Sequence, residues 1–361
     1  MALRTLSPRR RLAGLLTAVA ALGAVVAAPS APSATAAPGS PGERPSFCGH
    51  DNRSTPYAGY LCAQEGDLLD VRIGDVHPTQ PSLGYDEVYY KLGRYTLGKD
   101  AINKRFADWC EADGRLDAVA AQPDARLDDP SSFTCALPRG GETAASIAAM
   151  KTVVIGPGGE PFLTDGHHTL TAFDETPDGG PNLHVRVRVQ ANFSTLTRKD
   201  FWAQMIAHKW TYLLDPQGDP VKVDQLPTSV GLSSFQNDKY RSLLYFGRDI
   251  GYAQNGLPFQ EFYWGDWIRD TRPAGLTSWS NTDPAGYLAA VKASTQAMTA
   301  LPKSTVVDSG FTAAQLGALD SWNAGKAENK GEFDKLSKPY SDAKPGKIAY
   351  ALEYKRVHGL D

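Results

Sequence analysis

The sequence predicts an α+β fold, a small mixed sheet with helices on it, followed by a helical C-terminal half. Three observations carry this expectation. Thr152 to Ile155 is a β-branched run that reads as a strand; Gly158-Gly159 supplies the positive φ angles of a tight turn, and Pro161 to Leu163 returns as a second strand. Val185, Val187 and Val189 alternate with Arg186 and Arg188 in a third strand. Beyond Arg198 the pattern turns helical: Trp202, Met205, Ile206 and Trp210 share one side. Pro, Gly and Asn punctuation then separates helical stretches at Asp238 to Ala253, Phe259 to Arg269, Pro284 to Leu301, Thr312 to Asn323 and Lys344 to His358.

Residues 1–36 read as a signal peptide. Arg4, Arg9, Arg10 and Arg11 form a basic n-region, Leu12 to Ala28 is uncharged and rich in Ala and Leu, and Ala34-Thr35-Ala36 fits the small-residue cleavage pattern. Cleavage is expected near Ala36, and the mature protein is expected to be secreted. The apolar run is rich in Ala and Gly and falls short of the ~20 residues a membrane span needs, which disfavours an uncleaved anchor. No membrane association is expected after cleavage. The segment carries four positive and no negative charges, so its removal takes the formal charge from −3 to −7. An acidic chain is poorly suited to phosphate-backbone binding, and duplex DNA is not an expected partner. A hydrophobic fraction of 42%, with 10% aromatics, describes a folded chain and excludes a disordered one.

The four cysteines, Cys48, Cys62, Cys110 and Cys135, form an even set in an exported chain, so two disulfides are expected, with three connectivities open. Closeness in sequence favours Cys48–Cys62 and Cys110–Cys135. Residues 37–65 are expected to be a flexible leader and a disulfide-stapled segment, the leader proper being the Pro-, Gly- and Ser-rich stretch 37–47. The sheet core is placed at 66–195, with an insertion at about 113–142, and the helical region at 196–361. Within the core, Leu69, Val71 and Ile73 alternate in a leading strand, and His77-Pro78-Thr79-Gln80-Pro81 forces an extended exit. Val88 and Leu92 lie four apart on a helix over 85–95, where Glu87 and Lys91 read as an i,i+4 ion pair. A further helix is expected over 102–112.

Chemistry is written most clearly at Asp165-Gly166-His167-His168. Here a strand gives way to a polar loop and then to a helix carrying Leu170 and Phe173 three apart. The first-turn N–H groups of such a helix lack intrahelical partners and, with the helix dipole, favour an anion. Asp165 and His167, two apart in an extended loop, can converge on one point, and imidazole can donate to a phosphate or shuttle a proton near neutrality. Asp165, His167 and His168 are therefore the candidate catalytic residues. The competing reading is that Asp165 caps the helix and the histidines lie at the surface. A metal site from Asp165, His167 and His184 is conceivable, but adjacent histidines on a helix diverge by ~100° and there is no HExxH, so no metal ligand is assigned.

The order strand, tight turn, strand, Asp-Gly-His-His, helix resembles the core of the ParB/sulfiredoxin superfamily, and within it the secreted ParB-like nuclease family. The leading stretch Val71-Arg72-Ile73-Gly74-Asp75-Val76-His77-Pro78-Thr79-Gln80 and the downstream Phe259-Gln260-Glu261-Phe262-Tyr263-Trp264 support the resemblance. It implies a ParB/sulfiredoxin-like sheet and a phosphate-handling groove: in this superfamily the turn after the second strand and the next helix N-terminus hold nucleotide phosphates. Gly166 and Thr169 become candidate ligand-binding residues, with His77 and Gln80 from the leading strand's exit and Arg186 and Arg188 from the third strand. Superfamily members usually carry Arg after the histidines, where this chain has Thr169, so the hydroxyl keeps a donor but loses the fixed charge. No cysteine lies in the motif, which excludes a sulfiredoxin-type reaction.

The expected function is that of a secreted protein with a phosphate-binding Asp-Gly-His-His groove, with nuclease, phosphohydrolase and phosphotransferase activity open as reaction types. A non-catalytic extracellular binding module for an anionic ligand or partner protein is the alternative. A phosphate-containing small molecule or nucleotide is the expected partner, and a divalent metal ion or a nucleotide is the cofactor class the groove suggests.

Overall fold

Four strands form the sheet that carries the motif, in the spatial order Leu68–Arg72, His184–Asn192, Thr152–Ile155 and Pro161–Leu163. The computed structural model describes residues 56–324 and 332–360, which belong to one compact unit. The expected signal peptide, the 37–47 leader and Cys48, and hence the Cys48–Cys62 bridge, lie outside the described residues. Along the chain run β1 (Leu68–Arg72), β2 (Ser82–Leu83), α1 (Tyr85–Thr96), α2 (Lys104–Ala112), β3 (Ala118–Ala121), β4 (Phe133–Cys135), α3 (Ala144–Ala148), β5 (Thr152–Ile155), β6 (Pro161–Leu163), α4 (His167–Asp174) and β7 (His184–Asn192). The second half adds α5 (Arg198–Ala207), β8 (Gln236–Asn237), α6 (Lys239–Gly247), α7 (Gln260–Thr271), α8 (Pro284–Ala300), β9 (Val306–Asp308), β10 (Phe311–Thr312), α9 (Glu332–Leu336) and α10 (Lys347–His358). The fold is mixed α+β, as expected.

The β5–β6 hairpin closes where the sequence places it, with Gly158 at φ 79° and Gly159 at φ 89°. Val153 faces Leu163 and Ile155 faces Pro161 in antiparallel register. β7 forms as the Val-Arg alternation predicts. It lies inside the sheet, antiparallel to β1 on one side and parallel to β5 on the other. Both edges are therefore paired, and the Val185, Val187 and Val189 row is fully buried against Val88, Leu92, Trp109 and Phe173. Val154 and Phe162 look the other way, onto Phe201 and Met205 of α5.

The helical half has a core of its own, including Phe246, Tyr252, Phe262, Trp264, Tyr287 and Val291. It is tied to the sheet layer through α1. The buried Asp86 carboxylate accepts from the Tyr287 hydroxyl at 2.9 Å, the Asn281 amide at 2.8 Å and Lys355 Nζ at 3.3 Å. α10 lies so close to α1 that a Cβ on Gly93 would stand 2.5 Å from the Tyr350 carbonyl oxygen. The helix expected over Thr312 to Asn323 does not form. Gly317, at φ 69°, ends the first turn after β10, and the stretch continues as turns over buried Ala313 and Leu316. Likewise Lys209 (φ 55°) stops α5 and Asp249 (φ 61°) follows the end of α6, so both helices are shorter than their apolar periodicity suggests.

Residues 113–142 contain the antiparallel β3–β4 pair, pinned to α2 by the Cys110–Cys135 disulfide, with Phe133 packed on Phe106 and Trp109. The two cysteines are 25 residues apart, and closing a loop of that length in the unfolded chain is worth about 3 kcal/mol. Replacing both by Ala is expected to lower the unfolding free energy by about that amount. Chemical denaturation of the variant beside the oxidised wild type measures it.

Candidate functional site

A cavity of about 540 Å³ opens at the N-terminus of α4, between the sheet layer and the helical half. Its position follows from the chain path. After β6, Gly166 turns at φ 107° to start α4, and any Cβ there would lie 2.7 Å from Lys151 Cγ, so the turn requires glycine. Lys151 reaches Asp165 at 3.1 Å. No side chain caps α4, so Asp165 does not act as its N-cap. Among the described residues, the N–H groups of His167, His168 and Thr169 have no protein acceptor. The exit of β1 runs alongside β6: the His77 N–H donates to the Pro161 carbonyl at 2.9 Å, and the Leu163 N–H returns to His77 at 2.8 Å.

That arrangement decides what the two histidines do. His167 Nε2 accepts the Thr79 backbone N–H at 3.2 Å, and His168 Nε2 accepts the Gly84 backbone N–H at 3.0 Å. Both rings are buried, at 3% and 7% exposure. A nitrogen that accepts from an amide carries no proton, so in each neutral ring the proton sits on Nδ1. Burial pushes the His167 pKa down to about 3; Asp165 works against that shift and Arg241 with it. His168 is held well below the usual imidazole range by burial, then by Arg241 and His167.

Around the histidines runs a chain of alternating buried charges. Glu87 Oε2 on α1 lies 3.7 Å from His168 Nε2 and 3.0 Å from Arg241 Nη1 on α6. Arg241 Nη2 stands 3.9 Å from Glu261 Oε2 on α7, and Glu261 Oε1 takes Arg248 Nη2 at 2.6 Å. Burial alone would raise the Glu261 pKa, but Arg248 and Arg241 outweigh it and hold it at about 2. Glu261 is therefore a fixed carboxylate. Donors are left over: Nε and Nη1 of Arg241 and Nε of Arg188 are buried without a hydrogen-bond partner, although Arg241 Nη1 keeps its ion pair with Glu87. Arg188 has no ion pair among the described residues and lines the same cavity.

The expected residues divide. Asp165, Gly166, His167, His168, Thr169, Gln80 and Arg188 all line the cavity. Gln80 is buried, its amide donating to the Ser82 carbonyl at 2.6 Å. Two expected ligand-binding residues do not reach the cavity. His77 packs against Phe162, with ring centroids 5.2 Å apart, on the far side of β6. Arg186, one pleat pair before Arg188, is taken by Asp113 at 2.7 Å and by Glu142. His184 bonds Asp70 at 2.6 Å, away from His167, so the conceivable three-residue metal set does not converge. Among the described residues no group of three or more His, Cys, Asp or Glu is gathered to hold a metal. Nor do Glu87 and Lys91 pair with each other: Lys91 goes to Asp108 at 3.2 Å.

Lys151, Arg241, Arg248 and Gln254 were not legible as site residues, because the helical half supplies three of them from far along the chain. The signal that pointed there was the Phe259 to Trp264 stretch, whose Phe259, Gln260, Glu261 and Phe262 all line the cavity.

The sheet, the leading strand's exit and the Asp-Gly-His-His turn define an α+β protein of the ParB-like kind. The family model described as "Putative ParB-like nuclease" matches residues 69–270, and the chain belongs to that family. Among solved structures it is similar to the crystal structure of protein Atu1540 from Agrobacterium tumefaciens, at 23% identity over 64% of this chain and 92% of that one, with a TM-score of 0.43. None of the curated proteins compared matches the chain.

Two outcomes are expected from the histidine geometry. His168→Ala leaves the buried Gly84 N–H unpaired, at a cost of about 1–3 kcal/mol seen as a lower midpoint in denaturant. The second concerns pH. The folded state keeps both rings neutral, whereas unfolded imidazole takes a proton near pH ~6.5. Stability from these groups is thus complete above that pH and is lost as pH falls toward the folded value of about 3 for His167. At pH 5 the slope is about 1.4 kcal/mol per pH unit for each ring, and His168→Gln is expected to remove one ring's share from the melting temperature's pH dependence.

Proposed function

We propose that the α4 cavity binds a phosphoryl group and that the protein is an exported enzyme acting on a phosphate-containing ligand. The observation that carries this reading is the set of unused donors converging on one cavity. It comprises the three free N–H groups of α4, the Thr169 hydroxyl, the Arg188 guanidinium and the unpaired Nε of the buried Arg241. Burying charged donors without acceptors is costly, and an anion in the cavity relieves that cost. An uncapped helix N-terminus adds its dipole to the same point.

Each residue then has a distinct task. The phosphoryl oxygens lie over the first turn of α4, with Thr169 and Arg188 completing the shell. His167 and His168, with Nε2 engaged by the main chain and pKa values far below neutrality, hold the turn in place and do not move protons. Asp165 is the one carboxylate lining the cavity that no arginine holds, and it is exposed at the rim. It is the group placed to orient an attacking hydroxyl or water for transfer or hydrolysis of the phosphoester. Membership of a ParB-like nuclease family supports phosphoester chemistry, and the basic, apolar-run N-terminus supports export. The scarcity of free bases in the cavity favours a second reading, a binding module for an anionic ligand without turnover.

Inorganic phosphate is expected to raise the melting temperature of the mature chain. Arg188→Met, which breaks no ion pair, should weaken phosphate binding by about 10–100-fold in calorimetry. Asp165→Asn should abolish hydrolysis of aryl phosphate mono- or diesters while leaving phosphate affinity unchanged. Wild-type protein that binds phosphate yet turns over neither ester establishes the binding module. Absence of any phosphate effect that depends on Arg188 removes both readings.

A further inference from the structure

A second cavity of about 260 Å³ adjoins the one at α4, and Lys91, Ala149, Lys151 and Thr169 line both. Asp165 lines the first cavity and not the second. Asp108, Glu111 and Leu116 add to the wall of the second, and among the described residues no aromatic ring lines it. Asp108, 8% exposed, is taken up by Lys91 at 3.2 Å, Lys104 at 2.8 Å and the Tyr95 hydroxyl at 2.7 Å. The Lys91 ammonium meets no other acceptor among the described residues, so it keeps N–H donors to spare where the cavities join. Glu111 bridges to Lys104 through one oxygen, at 3.1 Å, and has the other left over. Spare donors and a spare acceptor beside an apolar side chain suit a small hydroxylated alcohol, and nothing is offered for a base to stack on.

The placement of Lys151 is the informative part. Its carbonyl accepts the Arg188 N–H at 2.8 Å, and its stem crosses the Gly166 turn too closely for any side chain there. The side chain therefore runs from the strand that carries Arg188 to the tip of α4. Its ammonium meets Asp165 at 3.1 Å and has no second partner among the described residues. Asp165 raises the Lys151 pKa against the burial that lowers it, so the resting group is an ammonium and not an amine. A proton acceptor and a proton donor are thus paired beside the phosphoryl site. The acceptor stands at the rim, and the donor stands where the second cavity begins.

We propose that the second cavity seats the alcohol half of the phosphoester and that Lys151 donates a proton to the leaving oxygen. The inference rests on the phosphoryl site at α4 and names the ester it serves, the phosphate of a small, aliphatic, hydroxylated alcohol. Water oriented by Asp165 forms its bond to phosphorus as the bond to the alcohol oxygen breaks, and the electron pair leaves on that oxygen. Asp165 takes the proton of the water and Lys151 supplies the proton of the alcohol. The two groups, 3.1 Å apart, then pass one proton between them and return to carboxylate and ammonium. An alkoxide is a strong base and leaves slowly unless a proton reaches it, whereas a nitrophenolate leaves without that help.

Steady-state hydrolysis of glycerol phosphate and of para-nitrophenyl phosphate by the mature chain tests it. Lys151→Met, which keeps the stem over Gly166, should cost kcat on glycerol phosphate about 100-fold more than on the nitrophenyl ester. Ala149→Phe, at an exposed position of the shared wall, should raise KM for glycerol phosphate at least about tenfold and leave the affinity for inorganic phosphate unchanged. Circular dichroism checks folding, and an unfolded Lys151→Met leaves the decision to Ala149→Phe. Equal losses on the two esters reduce Lys151 to a support for Asp165 and overturn the proposal, as does an unchanged KM in Ala149→Phe. Wild-type protein that hydrolyses neither ester but binds phosphate through Arg188 overturns it as well, and leaves the phosphoryl site standing. Phosphate binding indifferent to Arg188→Met removes the α4 reading itself and this proposal with it.

Discussion

Two main-chain N–H groups, those of Thr79 and Gly84, donate to the ring nitrogens of His167 and His168, and the rest of the site depends on that pair of bonds. They join the exit of the leading strand to the first turn of α4 across more than eighty residues of sequence. Each bond satisfies a buried amide that would otherwise be orphaned, and each fixes an imidazole as an acceptor at Nε2. With the rings held, the helix begins at Gly166 uncapped, its N–H groups facing the cavity. The histidines therefore act less as reagents than as fasteners that let a helix N-terminus stay free. Their burial is what keeps them neutral, and neutrality is what allows the amide bonds to exist.

The buried chain Glu87–Arg241–Glu261–Arg248 has a comparable role at the opposite wall. Taking four charges out of water is expensive, and hydrophobic side chains of like volume would be at least as stabilising. Stability is thus a poor reason for the arrangement. Geometry is a better one. Three helices, α1, α6 and α7, contribute to it, so it fixes the helical half against the sheet layer at the cavity's edge. Arg241 gains a carboxylate on each side and still keeps an unpaired Nε. The Asp86 node, which binds Tyr287, Asn281 and Lys355, holds α1 from behind and sets where Glu87 stands.

Much of the sheet was legible because its signals are local. Valine alternation, a Gly-Gly turn and a glycine before two histidines are each decided within a few residues. The interior position of β7 was not legible, because pairing order depends on which strands meet across the whole fold, and an Arg-Val alternation looks the same at an edge. Helix ends went wrong for a related reason. Lys209 and Asp249 take left-handed backbone angles that neither residue type announces. Asp165 to Thr169 and Arg188, expected from sequence to lie together, do line one cavity, whereas Arg186 was indistinguishable from Arg188 until Asp113, on a distant loop, claimed it. Arg241 and Arg248 lie on helices whose apolar pattern suggested only core.

Thr169, where the resemblance to the ParB/sulfiredoxin superfamily leads to an expected arginine, now has a physical setting. An arginine following the histidines would place its guanidinium at the mouth of the cavity from α4 itself. Here Arg188 arrives from the sheet and Arg241 from the helical half, so the positive charge is supplied from two directions and Thr169 contributes only a hydroxyl. The main chain of Arg188 is held on both sides, opposite Leu68 and Thr152. Positive charge thus reaches the cavity from its walls and not from α4. Charge brought from two walls is concentrated at one point of the cavity and is not spread along its length.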